Sequence, residues 1–331
     1  MASFCVGSGL RRRCCVALLL AAIAPTVSAQ GMAPGYPARP LRMMIGFGPG
    51  GSTDLMSRLI AQKLGERLNQ TVVPDLKSGA SGAIAADVVA KAPPDGHTLI
   101  ILTGAHPVGG AMMRKLAYDP LKDFAMVSTI VTYPVVLVVN AASRYRTIDE
   151  ILGAAKASPG KISFASVGIG SGQHLIGEWI GSEAGIEFLH VPFRGGPAAL
   201  TELLAGRVDM MIDTMTNAFP QIRAGKTRAL ALTTRDGSRF LPDVPSLSKT
   251  VPNVNFASWA GVATTAATPI SVIERLNREI HAILQMPDIQ KQLADIGGEP
   301  SPSTPAAMTQ LVADEMARWN KVIDSRRIER Q

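Results

Sequence analysis

From Leu41 onward, short β-prone apolar runs alternate with stretches whose apolar residues recur every three to four positions. This is the pattern of an α/β protein with largely parallel sheets. Strands are predicted at 41–47, 71–74, 98–102, 135–140, 162–165, 188–193, 208–213 and 228–233. The clearest helix covers 54–68, with Leu55, Met56, Leu59, Ile60, Leu64 and Leu68 on one face. Another starts at Pro197, whose fixed φ suits a first helical turn, and stops before Gly206. Thr268-Pro269 and Thr304-Pro305 each read as an N-cap followed by proline at the first helical position, opening two long amphipathic helices. The β-prone segments 135–140 and 256–262 flank a middle αβ region. They are expected to be two crossings between a discontinuous first domain, 36–138 with 258–331, and a second domain, 139–257.

Residues 1–29 break this pattern. Arg11, Arg12 and Arg13 precede an apolar core at 14–25, and Val27-Ser28-Ala29 forms a small-x-small cleavage site before Gln30. That is the layout of a secretory signal peptide, with a core too short to span a bilayer. No later segment approaches about 20 uninterrupted apolar residues, so the mature chain is expected to be exported without membrane insertion. Either the Sec or the Tat route fits. Cys5, Cys14 and Cys15 all fall in the leader, which leaves the mature chain without thiols and rules out disulfides and thiolate metal sites.

Composition narrows the class further. With 47% hydrophobic and 18% charged residues, the 331-residue chain can build one large or two ordinary domains, which excludes global disorder. The formal charge of +7 rests on 33 basic against 26 acidic residues. Removing the leader leaves 30 against 26, too dilute for a nucleic-acid protein, and no Lys/Arg stripe is interleaved with aromatics.

Three loops share one plan, in which a strand leads through glycines and small hydroxyl residues into a helix. The first is Gly46-Phe47-Gly48-Pro49-Gly50-Gly51-Ser52-Thr53-Asp54, and the second is Ser166-Val167-Gly168-Ile169-Gly170-Ser171-Gly172-Gln173-His174. The third, Phe193-Arg194-Gly195-Gly196, precedes the Pro197 helix. Glycines allow close backbone approach to a ligand, and the free N–H groups and positive dipole of a helix start favour an anion. Gly46, Gly48 and Gly51 also satisfy G-x-G-x-x-G, so a nicotinamide-dependent oxidoreductase is the rival reading. Pro49 removes one N–H from that loop, Asp75 fits the ribose-binding acid poorly, and export separates the chain from the cytosolic nucleotide pool. No Gly-Lys-Ser/Thr, G-x-S-x-G or H-E-x-x-H occurs, and His97, His106, His174, His190 and His281 lack metal-ligand spacing. No catalytic residue, metal or cofactor is therefore expected. His106, in a glycine-containing loop after the 98–102 strand, is a candidate ligand contact, and His174 falls in the first turn of its helix.

These residues resemble the tripartite tricarboxylate transporter substrate-binding proteins, the Bug/TctC family of periplasmic receptors. The resemblance rests on Gly48-Pro49-Gly50-Gly51-Ser52-Thr53-Asp54, Pro94-Asp95-Gly96-His97-Thr98-Leu99, Tyr118-Asp119-Pro120 and Lys122-Asp123-Phe124. It continues through Ser166-Val167-Gly168-Ile169-Gly170-Ser171, His190-Val191-Pro192-Phe193-Arg194-Gly195, Val208-Asp209-Met210-Met211-Ile212-Asp213 and Leu241-Pro242-Asp243-Val244-Pro245. It implies a type II periplasmic-binding-protein fold: two α/β domains joined by a two-crossing hinge, with the ligand in the cleft. It further implies a monomer that binds a small carboxylate, be it a di- or tricarboxylate, an amino acid or an aromatic acid, and delivers it to a membrane permease of the tripartite type. A sensor without a transport role is the alternative. Carried onto this chain, the ligand contacts would be Phe47, Gly48, Gly50, Gly51, Ser52, Thr53, Asp54, Ser166, Gly168, Gly170, Ser171, Gln173 and Asp213. Thr103 and His106 join them from the loop where relatives usually place Asn-Pro-Ser, and Arg194 stands where Tyr-Lys is common for Phe193-Arg194, offering a bidentate cation.

Overall fold

The computed structural model describes residues 35–331 apart from Arg194. The 1–29 leader lies outside the described residues. Ten strands follow in order: β1 (Leu41–Ile45), β2 (Val72–Leu76), β3 (Thr98–Thr103), β4 (Phe124–Asn140), β5 (Ser163–Ser166), β6 (Leu189–Pro192), β7 (Met210–Thr214), β8 (Thr227–Leu232), β9 (Ala257–Thr265) and β10 (Glu299–Pro300). Ten α-helices cover them: α1 (Ser52–Leu68), α2 (Ala83–Ala90), α3 (Ala105–Met112), α4 (Ile148–Ala157), α5 (Gly172–Ala184), α6 (Gly196–Leu204), α7 (Met215–Arg223), α8 (Ile270–Leu284), α9 (Pro287–Asp295) and α10 (Pro305–Ser325).

The flanks of the sheet are parallel, as the alternating pattern predicts: β2·β1·β3 on one side and β7·β5·β6 on the other. The middle is not. β9 pairs antiparallel with β3 and β4, and β4 pairs antiparallel with β7, β8 and β10. β4 is the reason, because this 17-residue strand belongs to both halves. Its first part, through Pro134, pairs with β9, and from Val135 it pairs with β7 and then β8. Pro134, which has no N–H to give a ladder, marks the changeover.

Thr233 ties the two crossings together. Its Oγ1 accepts the Val135 N–H at 2.9 Å and donates to the Phe256 carbonyl at 2.7 Å, while its own N–H reaches Val135 O and its carbonyl accepts the Phe256 N–H. Fully buried, this one residue satisfies backbone groups of both segments at the point where ladder pairing changes.

The predicted helices form with two adjustments. α1 buries Met56, Ile60, Leu64 and Leu68 as expected, but Leu55 is 53% exposed, because Asp54 and Ser57 occupy its side of the inward face. Thr304 caps α10, accepting the Ala307 N–H, whereas Thr268 does not cap α8: its hydroxyl donates to Thr265 O, and Pro269 takes the cap position. α10 presents Met308, Val312, Glu315, Trp319, Val322 and Ile323 as one buried stripe. It packs along α3, β4 and α5, so its C-terminal half joins the apolar cluster of the second half of the sheet.

Candidate functional site

Between the halves of the sheet lies a cavity of about 430 Å³. Five helices begin on it. Ser52 and Thr53 open α1, Gly104 and Ala105 open α3, Gly172 and Gln173 open α5, Gly195 and Gly196 open α6, and Thr214 caps α7. The N–H groups of Ser52, Thr53, Gly172 and Gln173 have no acceptor among the described residues. Unpaired donors at aligned helix N-termini give the cleft a positive potential without a cationic side chain. Among the described lining residues there is no Asp, Glu, Lys, Arg or His.

The walls touch across the cavity. Thr216 Oγ1 lies 3.2 Å from Ser52 Oγ, and Asn217 Oδ1 lies 3.4 Å from it. On the opposite side, Met112 Cε lies 3.2 Å from where a Cβ on Gly170 would sit, and Val108 lies 3.8 Å from that position at Gly172, an ordinary contact.

The sequence-predicted residues divide by what they face. Phe47, Ser52, Thr53, Thr103, Gly170, Ser171 and Gln173 line the cavity. Gly48, Gly50, Gly51 and Gly168 shape the loops without lining it. Gly50, at φ +77°, and Gly168, at φ +142°, adopt backbone conformations that favour glycine. Asp54 is turned inward: its Oδ2 accepts the Gly50 N–H at 2.9 Å and its Oδ1 pairs with Arg58 at 2.8 Å. Its carboxylate therefore braces the first loop. Arg194 lies outside the described residues.

His106 does not line this cavity but lies beside it, behind Thr103 and Ala105. Its Nε2 lies 2.9 Å from Pro120 O, its ring stacks on Tyr118, and burial pushes its pKa down to about 4. Ser166 is likewise buried under the second loop, 2.7 Å from His190 Nε2 and bonded to Gly168. His190 stacks on His174 at 3.9 Å, and His174 Nδ1 accepts the Gly170 N–H. Burial, and then the neighbouring ring, hold His190 near a pKa of about 4, and burial lowers His174 too, so the stack is neutral at pH 7. Asp213 sits behind the lining. It accepts from Thr214 N and Asn217 Nδ2, and burial raises its pKa to about 6 against the lowering effect of these bonds and of Gln173. It positions two amides that do face the cavity.

Sequence reasoning missed one whole wall: Tyr133, Val135, Phe256, Ser258 and Trp319. The first four lie on or beside the crossing strands, and Trp319 lies on the α10 stripe, where a buried aromatic reads simply as helix core. Asn217 and Thr214 carry a weak signal, a strand-to-helix turn like the others but without glycine.

A family model described as "Tripartite tricarboxylate transporter family receptor" matches residues 56–328. Protein BugT of Bordetella pertussis is 35% identical over 306 residues, covering 92% of this chain and 93% of that protein. A solved periplasmic transporter superposes with a TM-score of 0.81 at 33% identity, covering 89% of this chain and all of the other. Rpa4515 of R. palustris with adipate gives a TM-score of 0.80 at 34% identity, covering 88% and 98%. MatC of Rhodopseudomonas palustris with bound malate gives 0.77 at 30% identity, covering 87% and 100%. The matching family is one of receptors, which sets aside the oxidoreductase reading of the 46–51 glycines. Fold, cleft and comparisons agree, and the chain belongs to the Bug/TctC family of tripartite tricarboxylate transporter receptors.

Proposed function

We propose that this receptor captures a small carboxylate-bearing molecule in the cleft, closes around it and presents the closed form to a membrane permease of the tripartite type. The observation that carries this reading is the convergence of five helix N-termini on a cavity without acidic lining side chains among the described residues. The adipate and malate bound by two similar structures support it. The ligand contacts proposed are Phe47, Ser52, Thr53 and Thr103 from one wall and Gly170, Ser171 and Gln173 from the other, with Arg194, the residue before Gly195 in the sequence, proposed as a further contact. Asp54, Ser166 and Asp213 hold these loops in place. The domains divide at Pro134/Val135 and Phe256/Ala257, α10 spans both, and the receptor works as a monomer after cleavage following Ala29.

A thermal-shift panel on residues 30–331 tests this reading, with each carboxylate compared against its primary amide. A carboxylate at a hundredfold over its Kd stabilises by roughly 2.7 kcal/mol, or roughly 2–4 °C, and its amide does not. Shifts from amides or neutral sugars with none from any carboxylate would overturn the reading.

A further inference from the structure

The two ends of the cleft differ in chemistry. At one end, Ser52 and Thr53 face Thr214 and Asn217 across the gap. Gly195 and Gly196, which follow Arg194 in the chain, line this end too, a Cβ on Gly196 falling 3.9 Å from Asn217 Nδ2. At the other end, Val108 and Met112 of α3, Ile176 of α5, Phe256 and Trp319 form a continuous wall, and all five belong to one apolar cluster. Ile169 stands at its rim, 57% exposed.

The polar side chains near this wall carry no charge: the Tyr133 and Ser258 hydroxyls, the Gln331 amide and the Trp319 indole N–H. Behind it, Glu315 Oε2 lies 3.8 Å from the position of a Cβ on Gly104, buried and without a partner among the described residues. Past the N–H groups that open α5, an anionic group at this end would lose its water and meet no charged side chain among the described lining residues. An apolar group there would be desolvated favourably. The cavity of about 430 Å³ falls within the ~300–1,000 Å³ typical of pockets that enclose ring-sized molecules.

We infer that the ligand carries a single carboxylate, held at the helix N-termini, and a bulky apolar body seated against Ile176, Phe256 and Trp319: an aryl or branched-alkyl monocarboxylate. This rests on the carboxylate reading above and narrows it. Dicarboxylates of the kind bound by similar structures are then the weaker ligands.

Calorimetric titration of the purified protein with phenylacetate, phenylacetamide, adipate and malate tests the inference. Phenylacetate is expected to bind at least tenfold more tightly than adipate or malate, and phenylacetamide not at all. Ile169→Lys, at an exposed position that the fold tolerates, is expected to weaken phenylacetate and strengthen adipate, shifting their affinity ratio at least tenfold. Adipate or malate binding the wild-type protein as tightly as phenylacetate would overturn the inference and leave the carboxylate reading standing. No binding by phenylacetate would overturn the inference alone, and phenylacetamide binding as well as phenylacetate would overturn both.

Discussion

Glu315 shows how much a single buried group costs this fold. Its Oε1 accepts from Trp259 Nε1 at 3.1 Å, its Oε2 has no partner among the described residues, and burial raises its pKa from 4.5 to about 8. The carboxyl is thus largely protonated at pH 7. Because the folded value lies above the unfolded one, its contribution is complete below pH 4.5 and is lost as pH rises through 8. Glu315→Gln keeps the acceptor for Trp259 and removes the titration. Denaturant unfolding should show the two proteins similar at pH 5 and the variant more stable above pH 8, by an amount on the order of 3–5 kcal/mol. Parallel pH profiles for variant and wild type would contradict the assignment. Glu315 also marks a limit of sequence reading, since its spacing places it on the inward stripe of α10 and nothing local distinguishes it from a surface acid.

The crossing strands decide how much of the element order could be read from sequence. The second half of β4 was legible because Val135–Val139 is an unbroken apolar run. The first half was not, because Ser128, Thr129 and Thr132 interrupt the pattern. Two of those polar groups are satisfied from far along the chain: Ser303 N–H donates to Ser128 Oγ, and Thr129 Oγ1 donates to Ser301 O. β10, two residues long, exists only by pairing with Thr132 and Val131. Long-range partners of this kind leave no local signature. In the site, the glycine turns before α1, α5 and α6 were legible for the opposite reason, since each carries its donors within a few residues. Thr233 belongs to this scale too. Thr233→Val would leave the Val135 N–H and the Phe256 carbonyl without their hydroxyl partner, at a cost of roughly 1–3 kcal/mol each. Thr233→Ser should retain most of the stability. Equal midpoints for wild type and Thr233→Val in urea unfolding would show that the hydroxyl does not hold the crossings.

At the scale of the whole molecule, ligand binding and closure are one equilibrium. A carboxylate bridging α1 and α5 favours the closed arrangement only because its contacts come from both walls, and it can shift the population no further than that difference in affinity allows. On the proposed reading, Thr216 and Asn217 against Ser52 on one edge, and Met112 and Val108 against the α5 loop on the other, are contacts between the walls that opening would break. β4 and α10 both join the halves, and on the proposed division bending at Pro134/Val135 and Phe256/Ala257 is the motion expected to separate them. The most direct test is the distance between the walls. Residues 30–331 contain no cysteine, so in that fragment spin labels on Gln62→Cys in α1 and Thr201→Cys in α6, both exposed, can be placed without background. Double electron–electron resonance should give a broad distribution without ligand that becomes shorter and narrower when a bound carboxylate saturates the cleft. An identical distribution with and without that carboxylate would contradict capture by closure.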